Sequence, residues 1–517
     1  MAGKLLLYLP RFHSRWATLC SCGVVALLLL WFIIPRHERA FIFPPMILDS
    51  VAQQLGHPTF PDIRFYERAL PQHVAPSAFS KGTERPRYLF FPQASWGSGW
   101  NNYTSETTRF SFKFSRLLNT HLAYLAKRAY VFPGYIPRDH PPFPDSLNGT
   151  RHWLHIPMNA FVSGPTGGGP LSADGESDSL MRRAVSEEWW NVVCPRRDVV
   201  VVKMYDAMRQ MRLDDTSDGE EMLSKWANKL LKMSAPCVSV EGGPPFDYLF
   251  IGSRRVVSLW PSYGESPTLK YFAWSPLITA TLLHNFQLFS PHGAPDFLTP
   301  IGARPYRFQS YPPYRPSSRP FTGLLGIHVR RGDYDGHCIN LANGGADFNA
   351  WNLLGTPGIT RRPSRPGFQS STPPGYVWPA LPDYLDVPAG KSRHDAAFDH
   401  CWPSPEAIAA RVHEVREAAA SGVAYPHQDL RKVYIASNGD MNFIGPLAAL
   451  LRADGWDVSS SLDMELTLEG HAVSQAVDMA VLTGAESFVG VGFSSVTSNV
   501  VQIRLAAGRA PQTIHFW

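Results

Sequence analysis

At 517 residues the chain is too long for one hydrophobic core, so two domains with appendages are expected. An apolar content of 44% supports globular cores, while 18% charged residues and 46 prolines exclude a coiled coil or a disordered chain and favour folded domains joined by proline-punctuated loops. The net charge of +5 is small and no Lys/Arg run is dense enough for a nucleic-acid face, so no nucleic-acid partner is expected; a few arginines gathered at one anionic ligand fit the balance.

The first element is an uncharged, mostly apolar run over residues 19–34, stopped by Pro35 and Arg36. Its length lies at the lower limit for a membrane-spanning helix. Lys4, Arg11 and Arg15 precede it while Arg36 and Arg39 follow, a weak bias towards a cytoplasmic N-terminus. No small-residue cleavage site follows, so an uncleaved signal anchor is expected, with a buried core helix as the alternative. Residues 1–18 then form a cytoplasmic tail, residues 35–84 a stem, and the rest a luminal body: a single-pass type II protein of the Golgi or endoplasmic reticulum membrane. Sequons at Asn102 and Asn148 would face the lumen. Outside the apolar run stand Cys194, Cys237, Cys338 and Cys401, an even set suited to an oxidising compartment. Four cysteines allow three pairings; Cys194–Cys237 with Cys338–Cys401 is favoured because each bridge then closes a loop within one domain.

An N-terminal domain is expected over residues 85–315. It opens with the strand "RYLFFP" at 87–92, the glycine-bearing turn "QASWGSGWNN" and an amphipathic helix within residues 105–129, which together read as a βα unit. "RDVVVVKM" and "FDYLFIG" are further strand-like runs. A C-terminal domain is expected over residues 320–517. Its runs "GLLGIHVRR", "KVYIASN" and "ESFVGVGFSS" each deliver polar or small residues at the carboxyl end, with helical stretches at 445–455 and 470–485 between the latter two. Such alternation predicts a doubly wound parallel sheet that binds ligand beyond the carboxyl ends of its strands. Residues 339–399, rich in Pro, Gly and Asn, read as a long surface loop stapled at its base by Cys338–Cys401.

The densest chemistry lies in His328-Val329-Arg330-Arg331-Gly332-Asp333. On an alternating strand His328 and Arg330 point to one side and Arg331 to the other. One arginine could therefore reach a ligand while its neighbour makes a structural ion pair. A guanidinium fork matches a diphosphate and stays charged at any relevant pH. The alternatives are an arginine pair bonded to nearby carboxylates, or an exposed Arg-Gly-Asp adhesive tip.

This segment resembles the arginine motif of the GDP-fucose-dependent protein O-fucosyltransferases and the related α-1,6-fucosyltransferases, which carry His-x-Arg, often with Arg-Gly-Asp, at a strand end. "QAVDMAVLTGAESFVGVGFSSVTSNVVQIR" is similar to their C-terminal motif, and "WGSGWNN" to their glycine turn with an asparagine. The resemblance implies an α/β fold of the GT-B type: two Rossmann-like domains facing across a cleft, the C-terminal one holding the donor GDP-fucose and the N-terminal one shaping the cleft for a protein or glycan acceptor. It assigns Arg330 to the β-phosphate as the catalytic group. His328 would contact the donor or fix the arginine, and Asp478 would read the guanine edge. Ser494 and Ser495 would donate to phosphate at a helix N-terminus, and Asn101 would contact the donor. Blander readings stay open beside these: a Ser-Ser pair at a strand–helix junction is often only an N-cap, and a lone helical Asp often a solvated face.

The reaction implied is an inverting displacement at the sugar's anomeric carbon with departure of GDP. Arg330 would meet the charge that develops on the β-phosphate oxygen. No cofactor and no metal are expected, the arginine being the diphosphate's counter-charge. Some relatives place a Glu directly before the Gly-aromatic-Asn turn; Ser98 stands there in this chain, so a general base is not assigned, Glu106 being the nearest carboxylate beyond the turn. Two rival readings follow: a transferase using another nucleotide sugar, or a catalytically silent GDP-sugar-binding or adaptor protein.

Overall fold

In the computed structural model the described residues are 57–74, 85–92, 114–135, 143–144, 151–152, 156–173, 179–246, 248–290, 311–316, 321–332, 334–358, 370, 372–422 and 428–517. The apolar run at 19–34, Ser98, Asn101, Asn102, Glu106, Asn148 and Asp333 lie outside them. Among the described residues no helix is long and apolar enough to cross a membrane.

Two five-stranded sheets organise the chain. The first contains β1 (Tyr88–Phe90), β2 (Ala129–Phe132), β5 (Val185–Ser186), β6 (Val199–Lys203) and β7 (Cys237–Glu241) in the order β5-β2-β1-β7-β6. Every pairing in it is parallel. A short antiparallel pair, β3 (Phe143–Pro144) and β4 (Arg151–His152), lies between β2 and β5 in the chain. The second sheet contains β8 (Phe321–Val329), β9 (Lys432–Ser437), β10 (Asp457–Ser460), β11 (Ala485–Gly490) and β12 (Ile514–Phe516) in the order β10-β9-β8-β11-β12, again all parallel. In β8, eight of nine residues are buried. A strand covered on both faces reads as a continuous apolar run, which is why "GLLGIHV" stands out in the sequence.

The order of the second sheet fixes where a ligand can sit. The chain starts at β8, builds β9 and β10 outward on one side, then crosses back to place β11 and β12 on the other. The direction of winding therefore reverses between β8 and β11, and the crevice past the carboxyl ends of those two strands is the binding position of an open α/β sheet. The register Ile327↔Val489 brings the two strand ends level. In the first sheet the corresponding reversal lies between β1 and β7.

Several expectations need correction. "FDYLFIG" is not a strand: Tyr248–Ile251 forms one helical turn, and β7, with Cys237-Val238-Ser239-Val240-Glu241, takes the central place beside β1. A short apolar run looks the same for a buried strand or a buried helical turn, and here Phe250 and Ile251 are buried in a helical setting. The strand β2 was not anticipated, because "AYVF" follows the preceding helix with only three residues between. Residues assigned to the stem include a helix, Phe60–Arg68, that buries Phe60 and Ile63 in the main core. Residues 339–399 are more than a surface loop: Phe348, Trp351, Leu353 and Leu354 join the same core, and Arg393–Cys401 is helical.

Both favoured disulfides are present. Cys194–Cys237 ties the end of the helix Glu187–Val193 to the start of β7. Cys338–Cys401 joins the helix Tyr334–Asn343 to the helix Arg393–Cys401. The second bridge therefore holds the inserted segment against the residues that directly follow the arginine motif.

Candidate functional site

The crevice between β8 and β11 is built first from backbone ties. Past the end of β8, Arg331 donates its N–H to Asn438 Oδ1 at 2.8 Å, and Asn438 Nδ2 donates back to the Arg331 carbonyl at 2.7 Å. Ser437 Oγ donates to the Val329 carbonyl at 2.6 Å. Gly332 then turns with φ +72, and a Cβ there would stand 2.8 Å from Asn438 Nδ2, so only glycine fits. The turn after β8 is thus locked to the turn after β9.

The two arginines take opposite courses. Arg331 is buried with its guanidinium between the rings of Trp402 and Phe443, whose centroids are 4.3 Å and 4.1 Å away. It donates to the Arg330 carbonyl at 3.1 Å and to the Pro403 carbonyl. Burial lowers its pKa to about 10, which leaves it charged at neutral pH. Among the described residues, ring faces and carbonyls hold this cation, in place of the structural ion pair expected for one of the two arginines. Arg330, half-buried, lies with its guanidinium carbon 5.3 Å from the Tyr334 ring.

His328 is buried inside the fold, its Nδ1 3.0 Å from Thr497 Oγ1 on the helix Ser495–Ala506. Burial, helped by the charge of Arg330, pushes its pKa down to about 3, so the ring is neutral. It joins the end of β8 to the helix that follows β11. Ser494 caps that helix, its Oγ accepting from the Val496 N–H at 3.2 Å, and Ser495 is the first helical residue. Asn352, from the inserted segment, donates Nδ2 to the carbonyls of Gly492 at 2.8 Å and Ser494 at 3.3 Å.

Asp478 lies on the helix Ser474–Gly484. Its Oδ1 accepts from the Tyr434 hydroxyl at 2.6 Å, and Ser461 Oγ donates to Oδ1 and Oδ2 at 2.9 and 3.0 Å. The side chain is not a solvated face. Burial raises its pKa to about 6, against the opposing pull of those two hydroxyl donors.

The structure therefore gathers Arg330, His328, Ser494 and Ser495 at the ends of β8 and β11, with Asp478 fixed through Tyr434 to the adjacent strand β9. Asn101 lies outside the described residues. Tyr334, Asn352, Asn438, Tyr434, Ser461 and Thr497 went unnoticed in the sequence; only Asn438, a polar residue at the end of an apolar strand, carried a local signal. An Asp-x-Asp triplet, the metal signature of many glycosyltransferases, occurs as Asp333-Tyr334-Asp335. Among the described residues no group of three or more His, Cys, Asp or Glu side chains is arranged to hold a metal ion.

An arginine and a helix N-terminus thus lie past the ends of neighbouring strands at the point where the winding reverses. Together with the two parallel sheets, this defines a two-domain Rossmann-like α/β protein. No protein-family model matches the chain. No curated protein matches it in sequence. Solved structures to which it is similar include POFUT1 in complex with GDP-fucose, at TM-score 0.46 and 14% identity over 84% of this chain and 99% of that one. POFUT1 in complex with GDP gives a TM-score of 0.45 at 14% identity, covering 84% and 98%. The apo form gives 0.44 at 13% identity, covering 84% and 99%.

Proposed function

We propose that the protein is an inverting glycosyltransferase that moves fucose from GDP-fucose to a hydroxyl of a protein or glycan acceptor in the secretory pathway. The observation that carries this is the placement of Arg330, past the end of β8, and of the Ser494–Ser495 helix start, past the end of the neighbouring β11, at the point where the sheet reverses its winding. In this reading the two Rossmann-like domains face across a cleft in the GT-B manner. The diphosphate lies in the crevice with Arg330 on the β-phosphate, and the helix start supplies further donors.

As the anomeric bond breaks, negative charge builds on the β-phosphate oxygen. A guanidinium already in place stabilises that charge more than it stabilises the bound donor, which is the requirement for acceleration. Asp478, held by Tyr434 and Ser461, keeps lone pairs with which to accept from the guanine N1–H and exocyclic amine. His328, bonded to Thr497, supports the crevice from inside the fold in this reading. An oxidising lumen is supported by the two disulfides, and a type II anchor by the apolar run at 19–34.

The test is to incubate the purified luminal part with a panel of GDP- and UDP-sugars and measure binding and donor hydrolysis. GDP-fucose is expected to be preferred, with severe loss in Arg330→Ala. Equal behaviour of that variant would sink the mechanism, preference for another sugar would reassign the donor, and binding without turnover across diverse acceptors would indicate a silent binding protein.

A further inference from the structure

We propose that Tyr334 is a positioning residue for Arg330, a pillar that sets the guanidinium at a fixed distance from the Ser494–Ser495 turn; this rests on the donor-binding reading above. One side chain touches both halves of the crevice. Its ring underlies Arg330, whose guanidinium carbon is 5.3 Å from the ring centroid. Its hydroxyl donates at 3.1 Å to the carbonyl of Phe493, the residue before the cap Ser494.

The pillar is braced from both directions. Tyr334 is buried and opens the helix Tyr334–Asn343, which Cys338 bridges to Cys401. On the other side the Phe493 ring packs edge-on against Phe348, 5.2 Å between centroids. Gly492 is pressed so closely on Phe348 that an added Cβ would meet the ring at 2.5 Å. The turn after β11 therefore cannot drift, and a hydroxyl anchored to it makes a fixed reference point for Arg330.

The physical gain is preorganisation. A free arginine side chain carries about 2 kcal/mol of rotamer entropy, part of which is lost when it grips a ligand. A ring face beneath the guanidinium removes some of that freedom before the diphosphate arrives. Phenylalanine would supply the same ring but would leave the buried Phe493 carbonyl without this donor and untie the ring from the turn. Arg331 acts differently: it clamps the backbone of the loop, whereas Tyr334 sets the Arg330 side chain.

The test measures GDP affinity of the full chain by titration calorimetry for wild type, Tyr334→Phe, Tyr334→Leu, Arg330→Ala and the double variants. Tyr334→Leu should weaken GDP about ten-fold and Tyr334→Phe about three-fold, the sizes expected for one cation–ring contact and one neutral hydrogen bond. In an Arg330→Ala background neither substitution should weaken GDP further, because a residue acting through Arg330 has nothing left to act on. Equal losses in both backgrounds would mean a merely structural role and overturn the proposal, as would wild-type affinity in both Tyr334 variants. If Tyr334→Leu does not fold, Tyr334→Phe and its double variant decide alone. Wild-type protein that binds no GDP overturns the donor reading and the pillar with it. Loss in Arg330→Ala with none in the Tyr334 variants overturns the pillar only.

Discussion

The Tyr434 hydroxyl donates to Asp478 Oδ1 at 2.6 Å, tying the middle of β9 to the helix Ser474–Gly484. The carboxylate is thereby held in place, and burial raises its pKa to about 6. Reading a guanine edge requires the ionised form, which accepts two hydrogens. GDP affinity should therefore be steady above about pH 7 and fall by up to about ten-fold per unit well below pH 6. Tyr434→Phe removes a donor that favours the ionised form, so it should move the midpoint upward. Calorimetric titration of GDP from about pH 5 to about pH 8 checks both; a flat profile would remove Asp478 from base recognition.

Arginine and lysine differ at a diphosphate because only the guanidinium presents a planar fork. Arg330→Lys keeps the charge and should still lose at least about ten-fold in GDP affinity, with Arg330→Ala losing about a hundred-fold, the range of a charge-assisted hydrogen bond. Full rescue by lysine in a binding assay would mean that Arg330 contributes a point charge alone.

Arg331 should matter for stability. Its guanidinium is sandwiched between Trp402 and Phe443, so truncation leaves a cavity between two rings and frees the Pro403 carbonyl. Arg331→Ala should cost about 3 kcal/mol in denaturant unfolding, and Arg331→Met, which refills most of the space, clearly less. Equal costs for the two variants would place the stabilisation in the charge and not in the packing.

The turn after β8 offers a sharper backbone test. Gly332→Ala forces an L side chain to φ +72 and sets a methyl 2.8 Å from Asn438 Nδ2. The strain alone is about 1–2 kcal/mol, and the displaced amide gives up a bond to the Arg331 carbonyl. Unfolding midpoints should fall accordingly, and Asn438→Ala should fall by a similar amount because it removes the same clasp from the other side. A stable Gly332→Ala would show that the loop moves at little cost.

Arg330, Asp478 and Ser494 stand out in the sequence through the resemblance of their motifs, and the neighbouring apolar runs place each past a strand or on a helix. The packing around them was not. Tyr334 directly follows the motif yet gives no sign that its hydroxyl meets a carbonyl 159 residues away. Asn352 lies in a segment whose proline and glycine content reads as loop, although Trp351 beside it is buried. Composition reports local backbone freedom; it cannot report which apolar residues of a loop are folded back onto a core. The apolar run at 246–252 reads as a strand for a related reason, since so short a run has no periodicity to distinguish strand from helix.

Asp383, from the same inserted segment, fastens the last strand beside this site, and its titration gives a stability test. Its carboxylate lies 2.6 Å from the Arg411 guanidinium and 3.4 Å from the His515 ring, and accepts from the Phe516 N–H at 3.0 Å. Burial by itself would raise its pKa, but the His515 hydrogen bond, the Arg411 charge and the Phe516 N–H together bring it down from 3.8 to about 2. A depressed carboxylate stabilises the fold wherever it is ionised in both states. That stabilisation, about 2 kcal/mol, is complete above about pH 4 and is lost as pH falls towards 2. Asp383→Asn should therefore be less stable than wild type at neutral pH, with the gap closing across that acid window. The consequence reaches the crevice, because β12 pairs with β11 and Trp517, next after Phe516, donates to the Gly490 carbonyl at 3.2 Å and to the His328 carbonyl at 3.1 Å. Amide exchange of residues 490–495 should accelerate in Asp383→Asn at neutral pH; unchanged protection there would mean that β12 holds its place without this anchor.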